Sequence, residues 1–322
     1  MIFIAGSVRL YLCDEGLLRP GLRYDLIGRV YNLCYWIRDD SWYIYLPVDV
    51  VSVAIVSDRG EYKIYSEDCD RVSQLRDSLR FVLGVDEDLE SFYEIAGRDS
   101  LLSDFARLYR GWRVRSSDLW WSLVVGVCQQ NASFRQGWRI LHNIVKIYDK
   151  RVMVGREEIL RPPTPQEVLE DSDRLVESGA GFRAETIIRI AKALTERSLD
   201  QEYLAKRDPE YIESVLREIR GVGSYTARLA IAFFKRSYRL PPVDRWLRKI
   251  ASIVYGVSER DVERFWVERW GEWSALAAIS ATVALDAEPL TRALERVRRR
   301  ELVPRLELRP SPVNMSFFCE NF

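Results

Sequence analysis

The chain has 322 residues, 48% of them apolar and 30% charged, with 48 basic side chains balanced by 48 acidic ones. This profile belongs to a globular protein of two domains or one large one with a sizeable core, and it excludes a disordered chain. No apolar run approaches a bilayer span, so no membrane partner is expected, and a single histidine, His142, excludes histidine metal sites and Ser-His-Asp chemistry.

The opening MIFIAGSVRLYL has no basic leader and no small-residue cleavage site. It therefore reads as a strand of an intracellular protein, in cytoplasm, nucleoid or nucleus. Through residue 70 the stretches RVYNLCYW, SWYIYLPVDVVSVAIV and EYKIYS favour β structure, broken by Arg-Asp-Asp and Asp-Arg-Gly turns. From Arg71 to about Arg300 the apolar spacing turns helical. It predicts helices over SDLWWSLVVGVCQ, RAETIIRIAKALTE, PEYIESVLREI, SYTARLAIAFFKR, RWLRKIASIVYG and SALAAISATVAL, with prolines in the connectors RPPTPQE and RLPPVD. The remainder, LVPRLELRPSPVNMSFFCENF, reads as an extended tail. The fold class is α+β: a small β-rich N-terminal domain over residues 1–70, a mainly helical domain over 71–300 and a tail over 301–322. The five cysteines, Cys13, Cys34, Cys69, Cys128 and Cys319, are scattered without a C-x-x-C, so neither a metal nor another cofactor is expected.

Charge is balanced overall but sorted locally. Between Tyr211 and Ser252 stand nine basic residues against three acidic ones, and this basic excess surrounds the sequence RGVGSYTA. That stretch reads as a helical hairpin. Gly221 and Gly223 admit backbone conformations closed to other residues and let another molecule approach closely, while Ser224 suits the N-cap of the next helix. Amides at such a helix start form a site for a phosphate oxygen, and flanking arginines attract a nucleic-acid backbone. An ordinary αα-hairpin with a glycine cap fits the same residues. Asp244, in PPVDRW, reads equally as the N-cap of a further helix and as a carboxylate placed to stabilise positive charge on a deoxyribose and orient a water.

Taken together, LREIRGVGSYTARLA followed by LPPVDRWLRKIA resembles the helix–hairpin–helix (HhH-GPD) DNA glycosylase superfamily, in its 8-oxoguanine and alkyl-base (3-methyladenine) branches. LWWSLVVGVCQQNAS, GAGFRAETIIRIAKAL and EWSALAAISATVAL are similar to further family segments in the same order, so the resemblance runs from Leu79 to Val283. A Gly-Gln-x-Phe-Arg-Trp stretch of those branches has no clear counterpart. The resemblance implies a helical glycosylase core behind a small β-rich domain, acting in base excision repair on double-stranded DNA with a damaged base, as a monomer. It makes Gly221, Val222, Gly223 and Ser224 the DNA-binding hairpin and Asp244 the catalytic carboxylate. Asn131 becomes the wedge that fills the gap left by a flipped nucleotide, and Phe182 and Arg183 face DNA or pack. Tyr225, Leu229, Trp246 and Ile279 are the candidates for the base pocket.

Tyr225 departs from the pattern. Bifunctional members carry there the lysine that forms a Schiff base, which a tyrosine cannot do. A monofunctional enzyme follows, using water and leaving an abasic site. An aromatic at this position is similar to the alkyl-base branch, whereas Asn131 resembles the 8-oxoguanine branch; an alkylated or otherwise damaged purine is the expected target. Two alternatives remain: an 8-oxoguanine glycosylase whose AP-lyase activity draws on another lysine or the N-terminal amine, and a non-catalytic DNA-binding protein.

Overall fold

The computed structural model describes residues 8–315 except 32, 34, 35, 39, 40 and 309. Strands β1 (Val8–Leu17), β2 (Trp36–Arg38), β3 (Ser41–Tyr45), β4 (Ser52–Ser57), β5 (Glu61–Ser66), β6 (Lys150–Val154) and β7 (Glu157–Arg161) form one sheet in the order β2-β3-β4-β5-β1-β6-β7. Neighbours are antiparallel except β1 and β6, which run parallel. The β6–β7 hairpin corrects the reading of residues 71–300 as helical throughout. Its sequence KRVMVGREEILR is polar enough to hide a strand signal, and Gly155, at φ 64°, makes the turn.

The helices are α1 (Tyr24–Arg29), α2 (Val72–Leu83), α3 (Glu90–Gly97), α4 (Ser103–Leu108), α5 (Leu119–Gln129), α6 (Phe134–Tyr148), α7 (Pro165–Glu170) and α8 (Asp173–Glu177). After them come α9 (Arg183–Thr195), α10 (Gln201–Ala205), α11 (Pro209–Arg217), α12 (Ser224–Lys235), α13 (Arg245–Tyr255), α14 (Val262–Trp270), α15 (Ser274–Ala284) and α16 (Leu290–Arg299). Six of these lie where helical spacing predicted them. The helix α5 is buried on every side, as its unbroken apolar run LWWSLVVGV requires, and α6, α9 and α12 pack around it. At Gly126 an added Cβ would lie 3.1 Å from both Thr226 Cγ2 and the Thr226 carbonyl, so the two helices touch there almost backbone to backbone.

One face of the sheet, carrying Trp42, Ile44, Ala54, Val56 and Ile64, joins the helical core. Its other face holds a small cluster of Leu10, Tyr43, Val53, Val152, Val154 and Ile159. The stretch read as the strand RVYNLCYW instead begins in α1 and then turns left-handed at Tyr31 and Leu33, both at φ 52°. Each such residue costs about 1–3 kcal/mol and persists only where the surroundings hold it. They hold it tightly here. Arg115, wholly buried, donates through Nε to the Ile27 carbonyl (2.9 Å) and through Nη2 to Gly28, while Trp112 Nε1 reaches Val30 O and Trp121 Nε1 reaches Leu33 O, each at 3.4 Å. The amide of Tyr31 donates to Pro312 O at 2.8 Å. The segment read as an extended tail is thus docked, with Ser311, Val313 and Met315 buried, and Arg305 N bound to the Asp286 carboxylate at 2.9 Å. Residues 316–322, and with them Cys319, lie outside the described part, as does Cys34.

A disulfide joins Cys13 on β1 to Cys69 just before α2, across a separation of 56 residues with Cα atoms 5.0 Å apart. The cysteine reading, confined to metal motifs, did not anticipate it. Such a cross-link restricts the unfolded chain. Cys69→Ser is expected to lower stability by about 2–4 kcal/mol, seen as an earlier denaturant midpoint that reductant reproduces in the unaltered protein. An unmoved midpoint would show that the bridge contributes nothing.

Candidate active site

Helix α11 gives way to the hairpin through Gly221, at φ 102°, where an added Cβ would lie 2.1 Å from Thr186 Oγ1. Val222 turns inward, 5% exposed, and its amide donates to Ile219 O at 2.9 Å. Gly223 then caps α12; Ser224, read as the cap, is the first helical residue instead, and no side chain supplies a capping bond. The first intrahelical bond of α12 runs from Ala227 N to Gly223 O, 3.0 Å, so the amides ahead of it face outward unpaired by the helix. A Cβ on Gly223 would meet only Gln130 Nε2, at 3.9 Å. The two glycines therefore differ: Gly221 is demanded by the fold, whereas the fold would accept a Cβ at Gly223.

The turn after α5 is bound to this hairpin. Gln130 Nε2 donates to Gly221 O (3.3 Å), and Arg183 Nη2 donates to Gln130 O (2.6 Å). Asn131, read from the sequence as a wedge, follows, exposed and left-handed at φ 49°. Beside it Phe182 is 64% exposed, with the Arg183 guanidinium 4.4 Å from its ring centre; the packing alternative for Phe182 does not describe it.

Next to the hairpin opens a cavity of about 260 Å³, lined among others by Tyr225, Leu229, Asp244, Trp246 and Ile279. All five residues singled out from the sequence thus share one wall-to-wall site. Asp244 caps α13, its Oδ1 accepting the Leu247 amide at 2.7 Å, and Trp246 Nε1 is fixed on Glu288 O at 2.9 Å. The cavity also has walls the sequence did not suggest: Tyr31 from the turn after α1, and Gln129 and Phe134 from the two sides of the α5–α6 turn. No periodicity could have placed Tyr31 there, since it arrives from another layer of the fold.

No family model matches the chain. It is 31% identical over 172 residues to the DNA-3-methyladenine glycosylase of Bacillus subtilis, across 50% of this chain and 54% of that protein, so it spans about half of that relative's length. Its fold is similar to the 3-methyladenine DNA glycosylase of Archaeoglobus fulgidus, with a TM-score of 0.69, 19% identity and coverage of 83% of this chain and 97% of that one. It is also similar to the 8-oxoguanine glycosylase/lyase of Clostridium acetobutylicum in complex with double-stranded DNA, with a TM-score of 0.68, 18% identity and coverage of 90% and 98%. The chain thus has the fold of 3-methyladenine and 8-oxoguanine DNA glycosylases, consistent with the helix–hairpin–helix superfamily that its motifs resemble.

Within this glycosylase fold the electrostatics of the cavity are set by burial. Asp244 is open to water through the mouth yet surrounded by protein, and the desolvation raises its pKa above the ordinary carboxylate value, against the lowering effect of the Leu247, Asp244 and Trp246 amides. Burial, then Tyr31 and Asp244, push the Tyr225 phenol well above its usual range. Burial also drives His142, on α6 and away from the cavity lining, down to about 4. No lysine lines the cavity among the described residues: Lys235 donates to Ala205 O, and Lys249 pairs with Glu259 at 2.6 Å.

The basic excess proves to be largely structural. Arg228 pairs with Glu213 and Glu263, Arg236 with Glu87, Arg239 with Glu210 and Arg248 with Glu263. With the two lysines, six of the nine are committed internally. Arg217, Arg220 and Arg245 carry no side-chain partner among the described residues, and these three remain for an external anion.

Two outcomes follow. Gly221→Ala should destabilise the fold by about 1–3 kcal/mol, whereas Gly223→Ala should leave the melting midpoint nearly unchanged; equal effects would contradict the two environments. Because the folded pKa of Asp244 is raised, the charged form opposes folding as pH rises through that pKa. Asp244→Asn keeps a good N-cap and should raise Tm at neutral pH, with the gain vanishing at pH below the ordinary aspartate pKa. A lower Tm at neutral pH would mean that the carboxylate stabilises the protein.

Proposed function

We propose that the protein is a monofunctional DNA glycosylase that extrudes a damaged purine from duplex DNA and hydrolyses its N-glycosidic bond through Asp244. The observation that carries this reading is a base-sized cavity in which a partly desolvated carboxylate sits at a helix N-terminus, opposite Tyr225 and with no lysine in its lining among the described residues. The outward amides of α12, with Arg220 and Arg217 nearby in sequence, grip the phosphates irrespective of base. Asn131 enters the stack as the target nucleotide leaves it. In the cavity the Asp244 carboxylate stabilises the oxocarbenium character that grows on the sugar as the base departs, and it orients the attacking water. The sugar then keeps its backbone linkages, because among the described residues no lysine lines the cavity to form an imine.

The aromatic faces of Tyr225 and Trp246 support a flat, electron-poor base such as an alkylated purine. The likeness to an 8-oxoguanine glycosylase/lyase favours a second reading, oxidised guanine with strand cleavage.

A base-release assay separates them, on duplexes carrying methylated purines, hypoxanthine, uracil or 8-oxoguanine, each read with and without hot alkali. Strand breaks should appear only after alkali, and Asp244→Asn should reduce release about a thousandfold while retaining affinity for damaged duplex. Breaks without alkali, with a borohydride-trapped adduct, would establish the lyase. Tight binding without any release would leave a binding protein.

A further inference from the structure

We infer that Tyr31 is a specificity-determining contact for the extruded base, its phenol hydrogen-bonding the base edge, and that the docked C-terminal segment is the element that positions it. This rests on the glycosylase reading above.

Tyr31 lies in the region preceding the helical core, yet it lines the same cavity as Asp244 and Tyr225. Its side chain is 4% exposed, and its ring is walled by Trp138 edge-on at 5.6 Å, Phe233 at 5.8 Å and Phe134 at 6.2 Å. The ring lines the cavity, and the Asp244 charge within that cavity acts on its phenol. The hydroxyl has no partner among the described residues, although buried phenols ordinarily find one. Burial and the nearby Asp244 charge keep the phenol neutral, hence a donor as well as an acceptor. The Gln129 amide nitrogen, also unpaired, is closed off from the cavity against Gly137 and cannot serve an occupant. An unpaired phenol in an otherwise packed wall calls for an occupant with a complementary hydrogen-bonding atom. A purine edge, with its carbonyl or ring nitrogens, supplies one; an aliphatic ligand would leave the phenol unpaired.

The placement of Tyr31 is enforced from outside the cavity. Its left-handed backbone is held by the bond from its amide to Pro312 O, 2.8 Å, while Val313 and Met315 anchor that strand of chain in the core. Arg305, bound to Asp286, docks the segment upstream of it. The C-terminal segment does not line the cavity itself and reaches it through its bond to Tyr31.

The test is Tyr31→Phe, which keeps the ring and removes the hydroxyl. On the lesion the unaltered protein prefers, kcat/KM should fall about tenfold to a hundredfold, and the ratio between that lesion and the next best should shrink. Tm and affinity for undamaged duplex should hold. No loss of kcat/KM, or an equal loss on every lesion with a lowered Tm, would overturn the assignment and leave Tyr31 as packing. The second arm ends the chain at Pro310, which removes the Pro312 carbonyl but keeps the Arg305 contacts, alone and with Tyr31→Phe. Action through Tyr31 predicts that the two losses of selectivity do not add. Additive losses would overturn the positioning role; if the shortened chain does not fold, the single substitution still decides the contact itself. Release of no base by the unaltered protein would overturn the glycosylase reading and this inference with it. An active protein indifferent to Tyr31→Phe would overturn this inference alone.

Discussion

The geometry of the site depends on the contact of α5 with α12 over Gly126. Both helices are apolar, but their separation is decided by the missing side chain, because any Cβ at 126 would press on the Thr226 carbonyl. One end of this pair carries the Gln129–Asn131 turn, and the α12 end beside it carries the glycine hairpin. Packing therefore determines how far Asn131 stands from the outward amides of α12. Gln130 and Arg183 then tie the two by hydrogen bonds that cross 91 and 53 residues of sequence. A fully buried helix tolerates little slip at its ends.

Around Asp244 two opposing effects meet. Desolvation favours the neutral acid, while the first-turn amides of α13 and their dipole favour the carboxylate. The balance leaves a carboxylate whose charge is costly in this partly desolvated position, at the expense of stability.

The sheet and the C-terminal segment bear on the same cavity from the far side. Gly28 accepts the Trp42 ring so closely that a Cβ would lie 2.1 Å from it, pinning α1 to β3. Arg115, Trp112 and Trp121 then occupy the carbonyls of the turn that follows, and Pro312 takes the amide of Tyr31. Four separate parts of the chain thus converge on one strained turn. A β-rich layer that looked peripheral supplies a wall of the active cavity.

Much of this was legible in the order of residues. Helical periods placed α5, α9, α11, α12, α13 and α15, because each needs only local spacing of apolar side chains. The positions of the hairpin glycines and Asp244 at helix starts were legible for a similar reason, and Tyr225, Leu229, Asp244, Trp246 and Ile279, named through the family resemblance, lie on three elements around one cavity. What tertiary structure alone decided is long-range. The pairing of β1 with β6, the bridge from Cys13 to Cys69, and the commitment of most local arginines to internal ion pairs depend on partners distant in sequence. So does Tyr31, whose backbone leaves the extended conformation its neighbours favour because Pro312 and three buried side chains hold it elsewhere. A sequence states which groups are available; only packing determines which of them meet.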